Sequence, residues 1–365
     1  MKINYERRWS QIQEKIGKND AFISALPGNT RYLANSESPP GSPPGSTMNY
    51  VVIPQSGEPI AITSSLEEHR CRHESSVEEI RCWTSYPEIK SDGKSALDVL
   101  KATLSDIRAK KVLADSKISL GRSFNISLDS SLNDLRSIKM PEEVERIKKA
   151  VKQSDLGQAF AHSLVESGEG LSEKEVRAEI DYYMARQGIQ ENSFSTIVAS
   201  GPNAAHSHHS NTDRKLKVGD PVICDFGVFW DGYCSDITRT YFVGGKPSDE
   251  WREIYQIVMQ ANEKSTEALV ESSTGHLVDK AGRDFISKKG FGANFVHGTG
   301  HGFGLEIHEY PSITYKSKVK IKNSMAVTIE PGIYIPGKGG IRIEDDVLPK
   351  GDKPIVLTKA KKELY

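Results

Sequence analysis

The sequence predicts an α+β fold of two domains, a smaller α/β domain over residues 1–135 and a larger one over residues 136–365. The chain has 365 residues, whereas a single hydrophobic core stops growing beyond roughly 250–300 residues. The pattern also changes after Ser131, where helical segments are followed by strands and tight turns. Hydrophobic residues make up 37% and charged residues 27%, which is typical of a packed globular protein.

In the first domain, short elements of both kinds alternate. A helix is expected over residues 6–16 and a buried strand over residues 21–26. Residues 50–53 and 59–62 resemble two strands joined by a turn at Gly57. The Pro- and Gly-rich segment 36–46 is expected to form an extended loop, because proline fixes φ and removes a backbone donor.

The second domain opens with helix signals. Pro141 suits the first turn of a helix, and the acids that follow it suit the positive helix N-terminus. A second helix is expected from Ser172, whose spacing to Glu175 is that of a capping box. A further helical stretch covers residues 251–269, and the remaining pattern from Ile197 onward is that of strands and turns.

The overall charge and composition exclude several classes of partner. With 48 basic and 49 acidic residues the net charge is −1, so neither nucleic acid nor an anionic membrane is expected as a partner. No apolar run approaches the ~20 residues of a membrane span, and the polar N-terminus carries no apolar signal core. The four scattered cysteines are expected to be reduced thiols, which favours a cytoplasmic location.

The first segment that carries chemistry is a predicted hairpin over residues 222–238, with a turn signal at Asp231-Gly232. With the turn at this dipeptide, Asp225 opposes Thr238 and lies diagonal to Asp236; with the turn one residue earlier, Asp225 opposes Asp236. Either register places both carboxylates on one partly buried face. Such charges repel, and a metal cation is the usual remedy. A pair of solvated surface acids is the simpler alternative.

Histidines cluster in the glycine-rich segment 297–308. His297 and His301 have the spacing of two zinc ligands on a helix face, but four glycines in seven residues argue against a helix there. These histidines and His308 are therefore expected on loop or strand, where one ligates a metal and the others face substrate. A lone structural histidine is the alternative, which three histidines around close-approach glycines disfavour.

Glu330 and Glu344 flank a Pro-Gly-Lys-Gly-Gly turn that lies midway between them, so a hairpin would bring them together. Taken alone, a structural role for either glutamate is as well supported as a catalytic one. With Asp225, Asp236 and one histidine, they offer about −4 of charge, which two divalent ions would neutralise, and this donor set favours Mn, Co, Fe or Zn. Two such metals share a water, lower its pKa and clamp the attacking and leaving atoms.

These segments resemble the pita-bread metallopeptidases, which include methionine aminopeptidases, aminopeptidase P and Xaa-Pro dipeptidase (prolidase). The resemblance covers residues 135–365 and is carried by Asp-Phe-Gly, Asp-Gly-Tyr-Cys-Ser-Asp-Ile-Thr-Arg-Thr, His-Gly-Thr-Gly-His-Gly, Ile-Glu-Pro-Gly-Ile-Tyr and Gly-Gly-Ile-Arg-Ile-Glu-Asp. It implies a pita-bread catalytic domain over residues 136–365, a creatinase-like α/β domain over residues 1–135 and, by family analogy, a homodimer.

The resemblance also implies the ligands of two metal ions. Asp225 resembles the ligand of one ion, His301 and Glu330 resemble ligands of the other, and Asp236 and Glu344 match the bridging carboxylates. Mn²⁺ or Co²⁺ is expected at these positions, with Zn²⁺ and Fe²⁺ as alternatives.

Five residues are expected to take part in the reaction beside the metals. His208 matches a substrate-side histidine, although the neighbouring His206 and His209 leave the choice open. His297 and His308 resemble residues that orient substrate and stabilise the tetrahedral intermediate. Arg342 resembles the arginine of proline-directed members, and Glu330 is the candidate proton shuttle.

The implied activity is hydrolysis of Xaa-Pro dipeptides, small peptides with proline in second position, by a metal-bridging hydroxide. Ser312 stands where several dipeptidases carry a basic residue that can hold the free carboxylate of a dipeptide. This departure keeps open aminopeptidase P, which removes the first residue of longer Xaa-Pro peptides. A non-catalytic peptide- or protein-binding module is a further alternative, disfavoured because all five ligand positions are filled.

Overall fold

The computed structural model describes residues 2–35 and 47–362, and the loop predicted over residues 36–46 lies outside them. The chain divides into two units, Met1–Arg136 and Ser137–Tyr365. Within the described residues, none of the helices has both the length and the apolar character that crossing a membrane requires.

The N-terminal unit is built on a mixed six-stranded sheet with the strand order β4-β3-β2-β1-β5-β6. Its strands are β1 (Ala21–Ser24), β2 (Met48–Pro54), β3 (Ile60–Ser64), β4 (Glu79–Trp83), β5 (Lys111–Ala114) and β6 (Asn125–Leu128). Its helices are α1 (Tyr5–Ile16), α2 (Pro27–Ala34), α3 (Glu68–Glu74), α4 (Ala96–Asp106) and α5 (Ser131–Ser137), the last residue of which opens the second unit. The predicted helix over residues 6–16 and the antiparallel pair formed by β2 and β3 are confirmed.

The second unit combines four α-helices with several small sheets among its described residues. The helices are α6 (Pro141–Glu166), α7 (Glu173–Arg186), α8 (Asp249–Glu267) and α9 (Gly275–Lys288). The strands are β7 (Glu191–Asn192), β8 (Ile197–Ser200), β9 (Pro221–Phe226), β10 (Val228–Trp230), β11 (Tyr233–Cys234), β12 (Ile237–Phe242), β13 (Gly300–Gly302), β14 (Glu309–Ile313), β15 (Val327–Ile329), β16 (Gly332–Ile335), β17 (Gly339–Arg342), β18 (Asp345–Lys350) and β19 (Lys353–Val356). The sheet orders are β11-β10-β7, β12-β9-β8, β14-β13-β15-β18-β19 and β16-β17.

The first acidic hairpin keeps one register from end to end. Asp225 on β9 pairs with Thr238 on β12, and Phe229 on β10 pairs with Cys234 on β11. The first of the two predicted registers is therefore correct. Asp231 and Gly232 have φ of 48° and 81°, the left-handed conformation that a tight hairpin turn requires and that Asp-Gly adopts readily.

The second acidic hairpin is interrupted at its acidic residues but also keeps one register. Ile329 on β15 pairs with Asp345 on β18, and Gly332 on β16 pairs with Arg342 on β17. The same register places Glu330 opposite Glu344, as the position of the turn predicts. Glu330 lies just before Pro331, which has no backbone N–H to donate to a ladder.

Helix α8 supports the second hairpin from behind. Its buried Ile254 and Val258 belong to one apolar cluster with Ile341 and Ile343. Asn262 donates from Nδ2 to the carbonyl oxygens of Ile329 (2.8 Å) and Ile343 (3.3 Å). These two carbonyls immediately precede Glu330 and Glu344, so the helix fixes the backbone at both glutamates.

Gly300 on β13 is expected to be intolerant of any side chain. A Cβ at this position would lie 1.9 Å from the carbonyl oxygen of Thr328, and backbone cannot move aside as a flexible side chain can. We expect Gly300→Ala to lower the free energy of unfolding of the metal-free protein by about 3 kcal/mol, since overpacking of this kind forces backbone shifts. Urea unfolding followed by circular dichroism measures this, and a loss below about 0.5 kcal/mol would contradict the close approach.

Candidate metal centre and substrate cavity

All nine residues predicted for the site line one cavity of the second unit, about 310 Å³ in volume. The predicted members are Asp225, Asp236, His208, His297, His301, His308, Glu330, Arg342 and Glu344. They come from β9, β13, β17 and the segments that join the strands. The other walls include apolar side chains, among them Phe194, Ile197 and Ile307, together with Ser312 and Thr314.

Three of the predicted ligands form a cluster that can hold a metal ion. One ligand atom each of Asp236, His301 and Glu344 lies within 4.8 Å of the others. The Nε2 atom of His301 is also 3.6 Å from Oε1 of Glu330, the same distance as from Oδ2 of Asp236. Four of the five predicted ligands are thus neighbours, and Asp225 lies in the same cavity.

The imidazole of His301 is oriented as a metal ligand. Its Nδ1 lies 3.1 Å from the carbonyl oxygen of Gly302, and a carbonyl only accepts, so Nδ1 carries the proton. Burial, with a smaller effect of His308, lowers the pKa of His301 to about 4, so the ring is neutral near pH 7. The lone pair on Nε2 then faces the carboxylates, the arrangement in which a backbone acceptor fixes the tautomer of a ligating histidine.

The carboxylates are strongly perturbed. Burial, followed by repulsion from Glu344 and Asp225, raises the pKa of Asp236 well above its ordinary range. Burial and the charges of Glu330 and Asp225 do the same to Glu344, and burial raises the pKa of Glu330 to about 7. Among the described residues, Oδ1 of Asp225 is buried without a hydrogen-bond partner. Divalent cations would relieve each of these costs, so the donor set fits metal ions.

A chain of hydrogen bonds links Asp225 to Arg342, Tyr334 and His297. Arg342 donates from Nη2 to Oδ2 of Asp225 (2.5 Å) and from Nη1 to the hydroxyl of Tyr334 (2.9 Å). The Tyr334 hydroxyl lies 2.8 Å from Nε2 of His297, whose Nδ1 lies 2.7 Å from the carbonyl of Gly298. Burial lowers the pKa of His297 to about 4. Its neutral ring therefore donates from Nδ1 and accepts at Nε2 from Tyr334.

The sequence predicts no role for Tyr334, although the Ile-Glu-Pro-Gly-Ile-Tyr motif ends at this residue. Its signal is the strand period, because Tyr334 and Gly332 share a face of β16 and Gly332 pairs with Arg342. A Cβ at Gly332 would lie 2.6 Å from the Tyr334 hydroxyl. The glycine therefore leaves the space through which the tyrosine reaches the arginine.

Thr238 is a second site residue for which the sequence predicted no role. Its hydroxyl donates to Oε2 of Glu344 over 2.7 Å.

Of the three neighbouring candidate histidines, His206, His208 and His209, one lines the cavity. His208 lines the cavity, whereas His209 turns away and lies 2.7 Å from Oε2 of the buried Glu173. His308 also lines the cavity, with its ring centroid 4.3 Å from that of His301. The loop before His308 is held by Glu309, which accepts from the backbone N–H groups of Leu305 and Glu306.

The sequence profile of metallopeptidase family M24 matches residues 145–350, a range that contains every predicted site residue. The chain belongs to metallopeptidase family M24. Among relatives, an Xaa-Pro dipeptidase of Pyrococcus furiosus is 42% identical over 237 residues, which cover 65% of this chain and 67% of that protein.

Solved structures extend the likeness of this M24 metallopeptidase to the whole chain. An Xaa-Pro dipeptidase from Bacillus anthracis superposes with a TM-score of 0.87 at 32% identity, covering 99% of both chains. An X-Pro aminopeptidase from Thermotoga maritima superposes with a TM-score of 0.86 at 30% identity, also covering 99% of both chains. The predicted α+β class and the pita-bread architecture of the C-terminal part are confirmed.

The hydrogen-bond chain through Tyr334 predicts a role for its hydroxyl in this M24 metallopeptidase. We expect Tyr334→Phe to lower kcat/KM about 10-fold while metal content stays unchanged, because Arg342 and His297 lose the group that joins them. The matched control is Tyr241→Phe, whose hydroxyl bonds Gln158 away from the cavity. Peptidase kinetics and elemental analysis of both variants measure the effect. Wild-type kinetics in Tyr334→Phe would rule out the role.

Proposed function

We propose that the protein hydrolyses the bond between the two residues of Xaa-Pro dipeptides, using two divalent metal ions. The main support is the set of carboxylates around the unprotonated Nε2 of His301. The chain also shares its fold and family with Xaa-Pro dipeptidases. Asp225 is proposed to bind one ion and His301 and Glu330 the other, with Asp236 and Glu344 bridging.

When bound, the metals would supply an acidified water and polarise the scissile carbonyl. The protein residues have distinct tasks beside them. Glu330 accepts the proton that the attacking water gives up and passes it to the leaving nitrogen. His208 and His308 orient the peptide and stabilise negative charge on its carbonyl oxygen. His297, whose ring nitrogens contact Gly298 and Tyr334, contributes by holding Tyr334 and Arg342 in place.

One observation favours a second candidate function, the release of the first residue from longer Xaa-Pro peptides. Arg342 is the one permanently cationic side chain among the described residues that line the cavity, and it is paired with Asp225 over 2.5 Å. Ser312, at the position where a basic residue would hold a dipeptide carboxylate, also lines the cavity. A peptide that continues beyond proline places no carboxylate there.

Other properties stay predictions. The oxygen-rich donor set with one imidazole supports Mn²⁺ or Co²⁺, with Zn²⁺ or Fe²⁺ as alternatives. A homodimer and a cytoplasmic location rest on the sequence resemblance and on the cysteine pattern, respectively. The substrate is proposed to be a small peptide with proline in second position.

The substrate proposal is tested with Met-Pro and Met-Pro-Gly, after chelation and re-addition of Mn²⁺ or Co²⁺. We expect metal-dependent cleavage of Met-Pro alone. Cleavage of Met-Pro-Gly would establish the aminopeptidase instead. Inactivity on both peptides with each metal would overturn both proposals and favour a binding module.

The ligand assignment is tested by two alanine variants that should behave differently. Asp236→Ala is expected to lose both metals and all turnover, because a bridging carboxylate serves both ions. His297→Ala should keep its metals and lose at least about 10-fold in activity, because Tyr334 and Arg342 lose the ring that holds them. Elemental analysis after dialysis measures the metals. Full metal content in Asp236→Ala would exclude Asp236 as a bridging ligand.

A further inference from the structure

The segment that brings His208 to the cavity has little regular structure of its own. It leaves β8 at Ser200, forms one short 3₁₀ turn over Gly201–Ala205, and continues without helix or strand through Thr212. Ser207 and His208 line the cavity, and the Ser207 carbonyl accepts from Nη1 of Arg342 over 3.3 Å. Its position therefore depends on contacts with other elements.

One buried carboxylate, that of Glu173, supplies six of those contacts. Its Oε1 accepts from the Ser200 N–H (2.9 Å), the Ser200 hydroxyl (2.8 Å) and Nδ2 of Asn203 (3.0 Å). Its Oε2 accepts from the Thr212 N–H (2.9 Å) and the Thr212 hydroxyl (2.7 Å), and lies 2.7 Å from Nε2 of His209. The side chain of Glu173 is fully buried, so a single group joins both ends of the segment.

The helix that carries Glu173 adds to this attachment. Glu173 is the first residue of α7, and its N–H donates to the carbonyl of Arg214 over 3.2 Å. The next N–H, that of Lys174, donates to the carbonyl of Thr212 over 3.3 Å. Both are donors that a helix N-terminus leaves without partners inside the helix. Burial would raise the pKa of Glu173, but hydrogen bonds from His209, Thr212, Asn203 and Ser200 outweigh it and lower the pKa to about 2.

We propose that Glu173 is a positioning residue, which holds Ser207 and His208 against the cavity and thereby determines how the peptide binds. This inference rests on the proposed function. Each oxygen of Glu173 faces at least one group that can only donate: the Ser200 N–H and Asn203 Nδ2 on one side, the Thr212 N–H on the other. The amide nitrogen of a glutamine would meet a donor in either orientation, so even this isosteric replacement displaces the segment.

The test compares Glu173→Gln with Glu175→Gln. Glu175 lies on the same helical turn but is half-exposed, and it bonds Ser172 and Lys215 outside the His208 segment. We expect Glu173→Gln to lower kcat/KM for the cleaved peptide about 10- to 100-fold at wild-type metal content. The control should stay within about 2-fold of wild type. Both variants are assayed as the full-length, metal-loaded chain, well below their melting temperatures.

A double-mutant cycle separates positioning from general support of the fold. In a His208→Ala background, Glu173→Gln should lower kcat/KM by a clearly smaller factor than in the wild type, since one of the two residues it positions is already gone. Losses that multiply would overturn the proposal. If Glu173→Gln does not fold, Thr212→Val removes one of the donors to Glu173 and enters the same cycle with the same expectation.

Hydrogen–deuterium exchange provides a measurement that does not depend on activity. Residues 206–212 should exchange at least about 10-fold faster in Glu173→Gln than in Glu175→Gln. Unchanged exchange would overturn the proposal whatever the activity. Faster exchange in a protein whose wild type cleaves neither test peptide would contradict the proposed function and leave the positioning of the segment intact.

Discussion

The fold of the second unit holds four carboxylates that repel one another in a single cavity. They belong to Asp225, Asp236, Glu330 and Glu344. Asp236 and Glu344 have pKa values well above the ordinary range because burial penalises their charges and each feels the other acids. Arg342 pairs with Asp225, and Asp236, His301 and Glu344 form a cluster that can hold a metal ion. A cation that completes the site would offset the cost of holding these acids together. The surrounding structure gives these acids little freedom to move apart, because β-ladders and buried hydrogen bonds hold their backbones.

Two hairpins impose that geometry, and this part of the fold follows from the sequence. A two-residue turn and the period of two fix which residues oppose each other. Asp231-Gly232 therefore limited Asp225 to two registers, of which the one that pairs it with Thr238 is observed. The turn after Ile335 predicted that Glu330 faces Glu344, which the register of the second hairpin confirms. The helix starts at Pro141 and Ser172 were predictable for the same reason, since their capping signals span only a few residues.

Contacts between distant parts of the chain were not predictable in this way. Glu173 meets residues 27 to 39 positions further along, and no local period links a helix start to a later irregular segment. For that reason the sequence left open which of three neighbouring histidines faces the cavity. In the structure His208 lines the cavity, and His209 contacts Glu173 instead. No role was predicted for Tyr334, because its hydroxyl bonds Arg342 and His297, and the His297 contact spans 37 residues of sequence.

The direct test of the central claim, that the buried acids are arranged for two cations, is the number of ions that each chain binds. The metal-free protein is dialysed against Mn²⁺ near neutral pH, and bound metal per chain is determined by elemental analysis. Two ions per chain are predicted, because the proposed assignment gives Asp225 to one ion and His301 and Glu330 to the other, with Asp236 and Glu344 shared. A saturating value of one or none would contradict the two-metal arrangement.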